Sequence, residues 1–306
     1  MTTSQSTNTL LMVRPTNFGF NAQTAVNNSF QTQSDNADLQ KQALKEFDKL
    51  VETLSNANIN IIVVEDEPQS KIPDSIFPNN WFSTHNDGSF CLYPMFAENR
   101  RLERKNSIIE MLKNRFIVKN IFDFIHYENQ NKFLEGTGSI VLDRVNRIAY
   151  ACLSPRTNED ALDDFCSKLQ FEKCCFHAVF NNQEIYHTNV MLSVADKYAI
   201  LCADSITDKN ELKNITEKLL STNKEIIEIS IEQMKHFAGN MLQVSNNKGE
   251  QFLAMSSQAY NSLNVEQIKK IENHNQILHS DITSIETAGG GSVRCMLAEI
   301  FLETQI

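Results

Sequence analysis

The sequence predicts an α/β fold: a five-fold pseudo-symmetric α/β propeller made of hairpin-plus-helix repeats. Three observations predict it. Pairs of short apolar runs joined by a polar turn recur down the chain. They open at Trp81, Ser139, Asn189 and Asn240, with a last strand near Val293, so the unit repeats about every fifty residues. Each pair is followed by a stretch with helical spacing, and a hairpin-plus-helix unit cannot bury its apolar face alone. Finally, the early run Leu10 to Val13 offers the last strand a partner, so five units can close a ring with helices outside. Two ordinary α/β domains divided near residue 156 are the rival; the even spacing favours the ring.

In order, residues 1–8 read as a loose polar tail and Leu10 to Val13 as a strand ended by Arg14-Pro15. Thr16 to Asp38 is rich in Asn, Gln and Thr but holds Phe18, Phe20 and Phe30. It reads as an ordered loop that covers a site. Leu44, Phe47, Leu50, Val51 and Leu54 predict a helix over 39–57, and Ile59 to Val64 a strand. The first hairpin turns at His85-Asn86-Asp87-Gly88 and leads to a helix over about 100–115. The second turns at 143–147 with a helix near 158–169. The third turns at 195–197 with a helix near 209–220, and the fourth at 246–249 with a helix near 265–273. Met296 to Leu302 reads as a buried strand, reached through Gly289-Gly290-Gly291.

Composition narrows the function. The 306 residues are 41% hydrophobic and carry a net charge of −10, which argues against nucleic acid or an anionic membrane as the main partner. The polar N-terminus lacks a signal-peptide pattern, and no apolar stretch is long enough to span a bilayer. Seven cysteines without framework spacing fit reduced thiols and a cytoplasmic location. Cys174, Cys175 and His177 are too crowded for a usual zinc spacing and read as structural.

The chemistry-bearing residues share a phase. Asp74, Glu135, His187 and Cys295 stand at or just before the openings of their units, and a ring gathers such positions at one end of its axis. Each alone has a plain reading: an inert buried thiol, a structural histidine, a turn carboxylate, a turn cap. Together a cysteine, a histidine and a carboxylate are what nucleophilic catalysis needs.

The stretches Asp-Ser-Ile-Phe-Pro-Asn-Asn (74–80), Leu-Glu-Gly-Thr-Gly (134–138), Leu-Ser-Pro-Arg-Thr-Asn (153–158), His-Thr-Asn (187–189), Ala-Gly-Asn (238–240) and Gly-Gly-Gly-Ser-Val-Arg-Cys (289–295) resemble the guanidino-group-modifying superfamily. That superfamily comprises arginine deiminases, dimethylarginine dimethylaminohydrolases and amidinotransferases on the five-bladed pentein fold. The resemblance covers nearly the whole chain and implies that residues 9–306 are one pentein catalytic domain. Arg-Pro-Thr-Asn-Phe, Asn-Asn-Ser-Phe-Gln and Pro-Asn-Asn-Trp most resemble its citrulline-utilisation hydrolase (CtlX) subgroup. The resemblance implies Cys295 as nucleophile and His187 as general acid and then base, oriented by Glu135. It also implies substrate contacts from Asp74 and from Arg156, with Arg101 a second candidate for the substrate carboxylate; a solvated helix face is the equal alternative for Arg101. Arg294 could lower the thiol pKa, unless a strand turns its side chain away. The family chemistry needs neither metal nor organic cofactor.

Two departures bear on the substrate. The deiminases usually carry carboxylates where this chain has Asn80 and Asn189, and Asn79 also stands where a relative has an acid. Asparagine offers both a donor and an acceptor, which suits a neutral ureido group better than a cationic guanidinium. The expected activity is therefore hydrolysis of citrulline to ornithine, ammonia and carbon dioxide. A guanidine hydrolase of the arginine deiminase or dimethylaminohydrolase kind is the alternative, and an amidinotransferase stands third. A non-catalytic amino-acid binder is the reading from another class. The partner in each case is a small molecule, and the sequence leaves the oligomeric state open.

Overall fold

The computed structural model describes residues 4–33, 38–67 and 72–305. The chain forms a mixed α/β fold. Among the described residues the strands group into five three-stranded sheets and one two-stranded hairpin. In each three-stranded sheet the central strand pairs antiparallel with one neighbour and parallel with the other.

The first sheet joins the ends of the chain. β1 (Thr9–Arg14) lies between β2 (Asn60–Glu65), parallel to it after a long helix α2 (Leu39–Asn56), and the closing strand Ala298–Glu299, antiparallel to it. A short helix α1 (Ala22–Ala25) precedes α2. The pairing of the last strand with Leu10 and Leu11 is the one the sequence predicts. The other four sheets are local. The second holds β3 (Phe82–Thr84), β4 (Ser89–Leu92) and β5 (Asn120–Asp123), and the third holds β6 (Val141–Asp143), β7 (Ile148–Cys152) and β8 (Glu172–Phe176). After the hairpin β9 (Val179–Phe180) and β10 (Gln183–Glu184), the fourth sheet holds β11 (Leu192–Val194), β12 (Tyr198–Leu201) and β13 (Glu225–Glu228). The fifth holds β14 (Leu242–Ser245), β15 (Gln251–Ser256) and β16 (Gln276–Ser280), which makes the closing strand β17.

The repeat is therefore larger than the sequence predicts: hairpin, helix, then a third strand parallel to the second. Those third strands were hidden because they are half exposed. Asn120–Asp123 and Glu225–Glu228 begin and end on polar residues and bury little, so they lack the apolar run or clean alternation that marks a strand. The helices between fall where their amphipathic spacing puts them: Asn106–Arg115, Glu159–Leu169, Lys209–Ser221 and Val265–Glu272. The starts of the last three are fixed by side-chain caps. Asn158 and Asp208 accept from the first free N–H groups, and Asn264 with Gln267 forms a reciprocal capping box. The first of the predicted helices is split, with a 3-10 segment Glu98–Glu103 preceding Asn106–Arg115.

Two further expectations are corrected. The opening residues are not a loose tail where they are described. Gln5 is buried; its Nε2 donates to the carbonyls of Leu142 (2.8 Å) and Val194 (3.0 Å), and its Oε1 accepts from the Arg144 N–H (2.8 Å). That side chain ties the third and fourth sheets together with bonds that no apolar pattern reveals. The final strand begins at Ala298 rather than near Val293, because Val293–Met296 closes a helical turn first. Such single turns recur before the first strand of the second, third and fourth sheets: Pro78–Asn80, Gly136–Ser139 and Thr188–Val190. Neighbouring sheets touch through these first strands: β17 with β3, β6 with β11, and β11 with β14.

Among the described residues no helix is long and apolar enough to cross a membrane, and no cluster of three or more His, Cys, Asp and Glu residues could hold a metal ion.

Candidate active site

The turns before the strands bring the predicted residues together. Cys295 sits in the helical turn Val293–Met296, 4% exposed, and its N–H donates to the Ser292 carbonyl (3.0 Å). The Ser292 hydroxyl in turn donates to Glu286 Oε1 (2.6 Å), which ties the turn to the preceding helix Thr283–Gly289. Gly290 has φ +64°, and a Cβ there would lie 2.5 Å from Asn28 Nδ2, so only glycine permits this approach. Two amides reach the Cys295 sulfur: Asn240 Nδ2 at 3.3 Å and Asn189 Nδ2 at 3.5 Å.

His187 and Glu135 form a buried pair, Nε2 to Oε2 at 2.7 Å. The other carboxylate oxygen accepts from the Phe96 N–H (2.9 Å), and the Arg156 and Arg100 guanidiniums lie at 3.6 and 3.9 Å from the first. Burial alone would raise the Glu135 pKa, but Arg156, the His187 bond and Arg100 outweigh it and hold the carboxyl well below the usual range. Burial lowers the His187 pKa to about 4; Glu135 pulls it up, and Arg156 and Arg100 push it down. A neutral imidazole beside an ionised carboxylate keeps its proton on Nε2, so Nδ1 is the acceptor.

Gly138 leaves room for that ring. A Cβ at this position would stand 2.7 Å from His187 Nδ1 and closer still to Asn80 Nδ2. Gly138→Ala is expected to displace both side chains and lower kcat about 100-fold or more while the chain still folds, as steady-state kinetics with circular dichroism would show. Unchanged kinetics in the folded variant would remove His187 and Asn80 from the reaction.

Asp74 completes one wall. Its Oδ2 accepts from Asn21 Nδ2 (2.8 Å) and the Thr24 hydroxyl (3.2 Å), with Arg100 Nε at 3.7 Å. Its Oδ1 is buried without a partner. Burial raises its pKa against the pull of Arg100. Asn80 is fixed in one orientation: its Oδ1 accepts from Arg100 Nη1 (3.0 Å), leaving Nδ2 buried and unpartnered. Asn189 has the opposite polarity, with Nδ2 on the sulfur and Oδ1 unpartnered. Asn79 lies behind, donating to the Thr137 hydroxyl (3.3 Å).

Arg156 is 2% exposed, donates to Asn27 Oδ1 (2.8 Å) and the Thr24 carbonyl (2.8 Å), and stacks over the Tyr186 ring at 4.7 Å. Together Asp74, Asn80, Arg156, His187 and Cys295 line one pocket with Arg100. The loop after β1 supplies part of its wall through Thr24 and Asn28, as the sequence predicts for 16–38; residues 34–37 of that stretch lie outside the described ones.

Arg101 is not brought there. It donates to the Met95 carbonyl (3.1 Å), faces Glu128 at 3.4 Å and is partly solvated. Its neighbour Arg100 takes the inward place, held by both oxygens of Glu103 (2.7 and 3.0 Å). The split of the helix explains the exchange, since three residues per turn in the 3-10 segment shift the phase read from an α-helix. The Arg100–Glu103 spacing of three was the available signal. Arg294 turns to Glu299 Oε2 (2.8 Å) and the Leu297 carbonyl (2.8 Å), from a helical turn rather than a strand. Asn240 as a sulfur contact and Tyr186 as a wall residue were missed. Asn240 alone had a signal, because it stands two residues before its strand as Asn80 does.

A family model described as "N,N dimethylarginine dimethylhydrolase, eukaryotic" matches residues 14–302. None of the curated proteins matches the sequence. Solved structures do. The N-terminal domain of ArgZ, an arginine dihydrolase from the ornithine-ammonia cycle in Cyanobacteria, solved as a point mutant bound to substrate, superposes with TM-score 0.73 at 16% identity, over 96% of this chain and 98% of that one. AgrE in complex with ornithine and NAD+ gives 0.76 at 16% identity, over 97% of this chain but 40% of that one. A dimethylarginine dimethylaminohydrolase adduct with 4-chloro-2-hydroxymethylpyridine gives 0.65 at 18% identity, over 95% and 99%. The chain thus spans about two fifths of full-length ArgZ and AgrE. At such identities the likeness is one of fold, and the family match carries the rest: the chain belongs to the family described as N,N dimethylarginine dimethylhydrolase, eukaryotic, within the guanidino-group-modifying pentein superfamily.

Proposed function

We propose that the chain hydrolyses a C–N bond of a ureido or guanidino amino acid through a covalent Cys295 intermediate, with citrulline as the substrate. The observation that carries the choice of citrulline is the polarity of the buried unpartnered atoms that line the pocket: a donor, Asn80 Nδ2, and an acceptor, Asp74 Oδ1. A ureido group presents one carbonyl acceptor and N–H donors, which is the matching set. A guanidinium presents donors only and would leave Asn80 Nδ2 facing another donor.

Cys295 attacks the ureido carbon and its thiol proton passes to His187 Nδ1, the ring being held by Glu135. His187 returns the proton to the leaving nitrogen, and a thio-linked acyl group remains on Cys295. His187 then takes a proton from water, which adds to that carbon and expels the thiolate. The carbamate released loses carbon dioxide, so one citrulline and one water give ornithine, ammonia and carbon dioxide whichever nitrogen departs first. A neutral His187 in the free enzyme suits it to accept the first proton. Arg156 is read as the grip on the substrate carboxylate. Residues 9–306 are read as one catalytic domain whose five sheets close as a five-fold ring about this pocket, with the contacts between first strands in support. The citrulline-utilisation hydrolases are the subgroup this reading fits.

A guanidine hydrolase is the second reading, favoured by the family match and by the free oxygen of Asp74. The names of the neighbours, an arginine dihydrolase and a dimethylarginine dimethylaminohydrolase, point the same way. A product assay with citrulline, arginine and dimethylarginine side by side separates the readings. Ornithine from citrulline with arginine inert is the expected result; citrulline formed from either guanidine would overturn the ureido assignment.

A further inference from the structure

A second cavity lies among the first strands of the sheets, on the far side of the Cys295 turn from the pocket above. It measures about 30 Å³, room for a particle of water or halide size, since roughly 10–15 Å³ suffices for one water. Leu142, Leu192, Val194 and Met241 give it aliphatic walls, and Arg144, Arg294 and Glu299 a charged one.

The charges do not balance. Arg294 Nη2 donates to Glu299 Oε2 at 2.8 Å, and Arg144 Nη2 reaches the same oxygen at 3.4 Å. Among the described residues no other carboxylate pairs with either arginine. All three side chains are less than a tenth exposed. His85 Nδ1 beside Arg144 Nη1 (3.4 Å) adds no negative charge; burial and then Arg144 and Arg147 keep it neutral. Two buried cations thus share one anion, and an uncompensated buried charge is strongly unfavourable. Donors are also in surplus. A guanidinium carries five N–H groups, and the described bonds of Arg294 end on the Leu297 carbonyl and Glu299. Those of Arg144 end on the Thr84 carbonyl, His85 and Glu299, with the Phe301 ring stacked at 4.0 Å.

We propose that this cavity is a binding site for a small monovalent inorganic anion of chloride size, held by the Arg144–Arg294 pair. A single ion supplies the missing negative charge and fills a space of this volume, whereas an amino-acid carboxylate is too large for it. The site is independent of the reaction proposed above but adjoins it. Arg294 precedes Cys295, and Asn189, which donates to the sulfur, lines the cavity. An anion there opposes ionisation of the thiol, so halide is expected to slow alkylation of Cys295 at fixed pH.

The test compares the whole protein in sodium bromide and in sodium gluconate at equal ionic strength. A saturable rise in Tm of about 2 °C at five times Kd is expected in bromide alone. Crystals grown in bromide should show an anomalous peak between the two guanidiniums, and Arg144→Met should lose both signals. Equal Tm in the two salts with no peak would overturn the proposal, as would a bromide effect that survives Arg144→Met. If that variant fails to fold, the peak in the native protein decides, and its absence or a position elsewhere counts against the site.

Discussion

Cys295→Ala is expected to lower kcat for citrulline by about 10⁴–10⁶-fold, the scale on which removing a nucleophile acts in enzymes with a cysteine or serine triad. The loss should fall on kcat, with binding retained, because the pocket contacts of Asp74, Asn80, Arg156 and His187 come from segments other than the Cys295 turn. Truncation does leave Asn189 Nδ2 and Asn240 Nδ2 without the sulfur they approach at 3.5 and 3.3 Å. Asn240 Nδ2 keeps the Asn189 carbonyl at 3.0 Å, so one buried donor is left without an acceptor, at a cost of about 1–3 kcal/mol if the site stays dry. Cys295→Ser is the control, since a hydroxyl restores an acceptor but is a far weaker nucleophile. Calorimetric binding of citrulline to both variants, with single-turnover kinetics on the native protein, reads the result. Turnover within tenfold of native in either folded variant would refute covalent catalysis at Cys295. A native protein that binds citrulline and never turns it over would instead make the chain an amino-acid binder.

The sequence was most readable where apolar periodicity and polar phase coincide. Hairpins such as Ser89–Leu92 against Phe82–Thr84 carry buried apolar residues on both strands, and their openings carry Asn80, Glu135, His187 and Asn240 in step. The same phase gathers Cys295, His187, Glu135 and Asp74 as a group, and the fold brings them close in space. The apolar pattern showed the parallel strand Asn60–Glu65 of the first sheet but not the third strands of the other four, whose residues are half solvated and carry charges. Nor could it choose between Arg100 and Arg101, because that choice depends on whether the turn winds with 3.0 or 3.6 residues. The role of Gln5 is of the same kind: one buried amide satisfying two carbonyls and an N–H in distant sheets leaves no mark in a local pattern. The orientations of Asn80 and Asn189 are likewise invisible until their partners are placed, yet that of Asn80 carries the substrate argument.

Those orientations make the second large prediction. Asn80→Asp with Asn189→Asp is expected to move the kcat/KM preference from citrulline toward arginine by roughly 10²–10⁴-fold. Charge-assisted bonds to a carboxylate contribute about 1.5–3 kcal/mol each, and the two positions share the Cys295 neighbourhood, so the sum need not be additive. The substitutions differ in what surrounds them. A carboxylate at 80 replaces an oxygen that already accepts from Arg100 Nη1 at 3.0 Å, so its charge meets a cation at once and the fold tolerates it. The second oxygen then takes the place of the unpartnered Nδ2 and turns a donor for a ureido carbonyl into an acceptor for a guanidinium. At 189 the change removes the amide that approaches the Cys295 sulfur and puts a negative charge beside it, which disfavours the thiolate. The double variant should therefore lose rate on both substrates and gain only in ratio, with the loss tracing to 189 and most of the gain to 80. Measuring citrulline and arginine kinetics for both single variants and the double separates the two effects. If Asn80→Asp folds and leaves the ratio unchanged, the polarity of residue 80 does not select the substrate. The task would then fall to Asp74, which a guanidinium can satisfy as well as a ureido group.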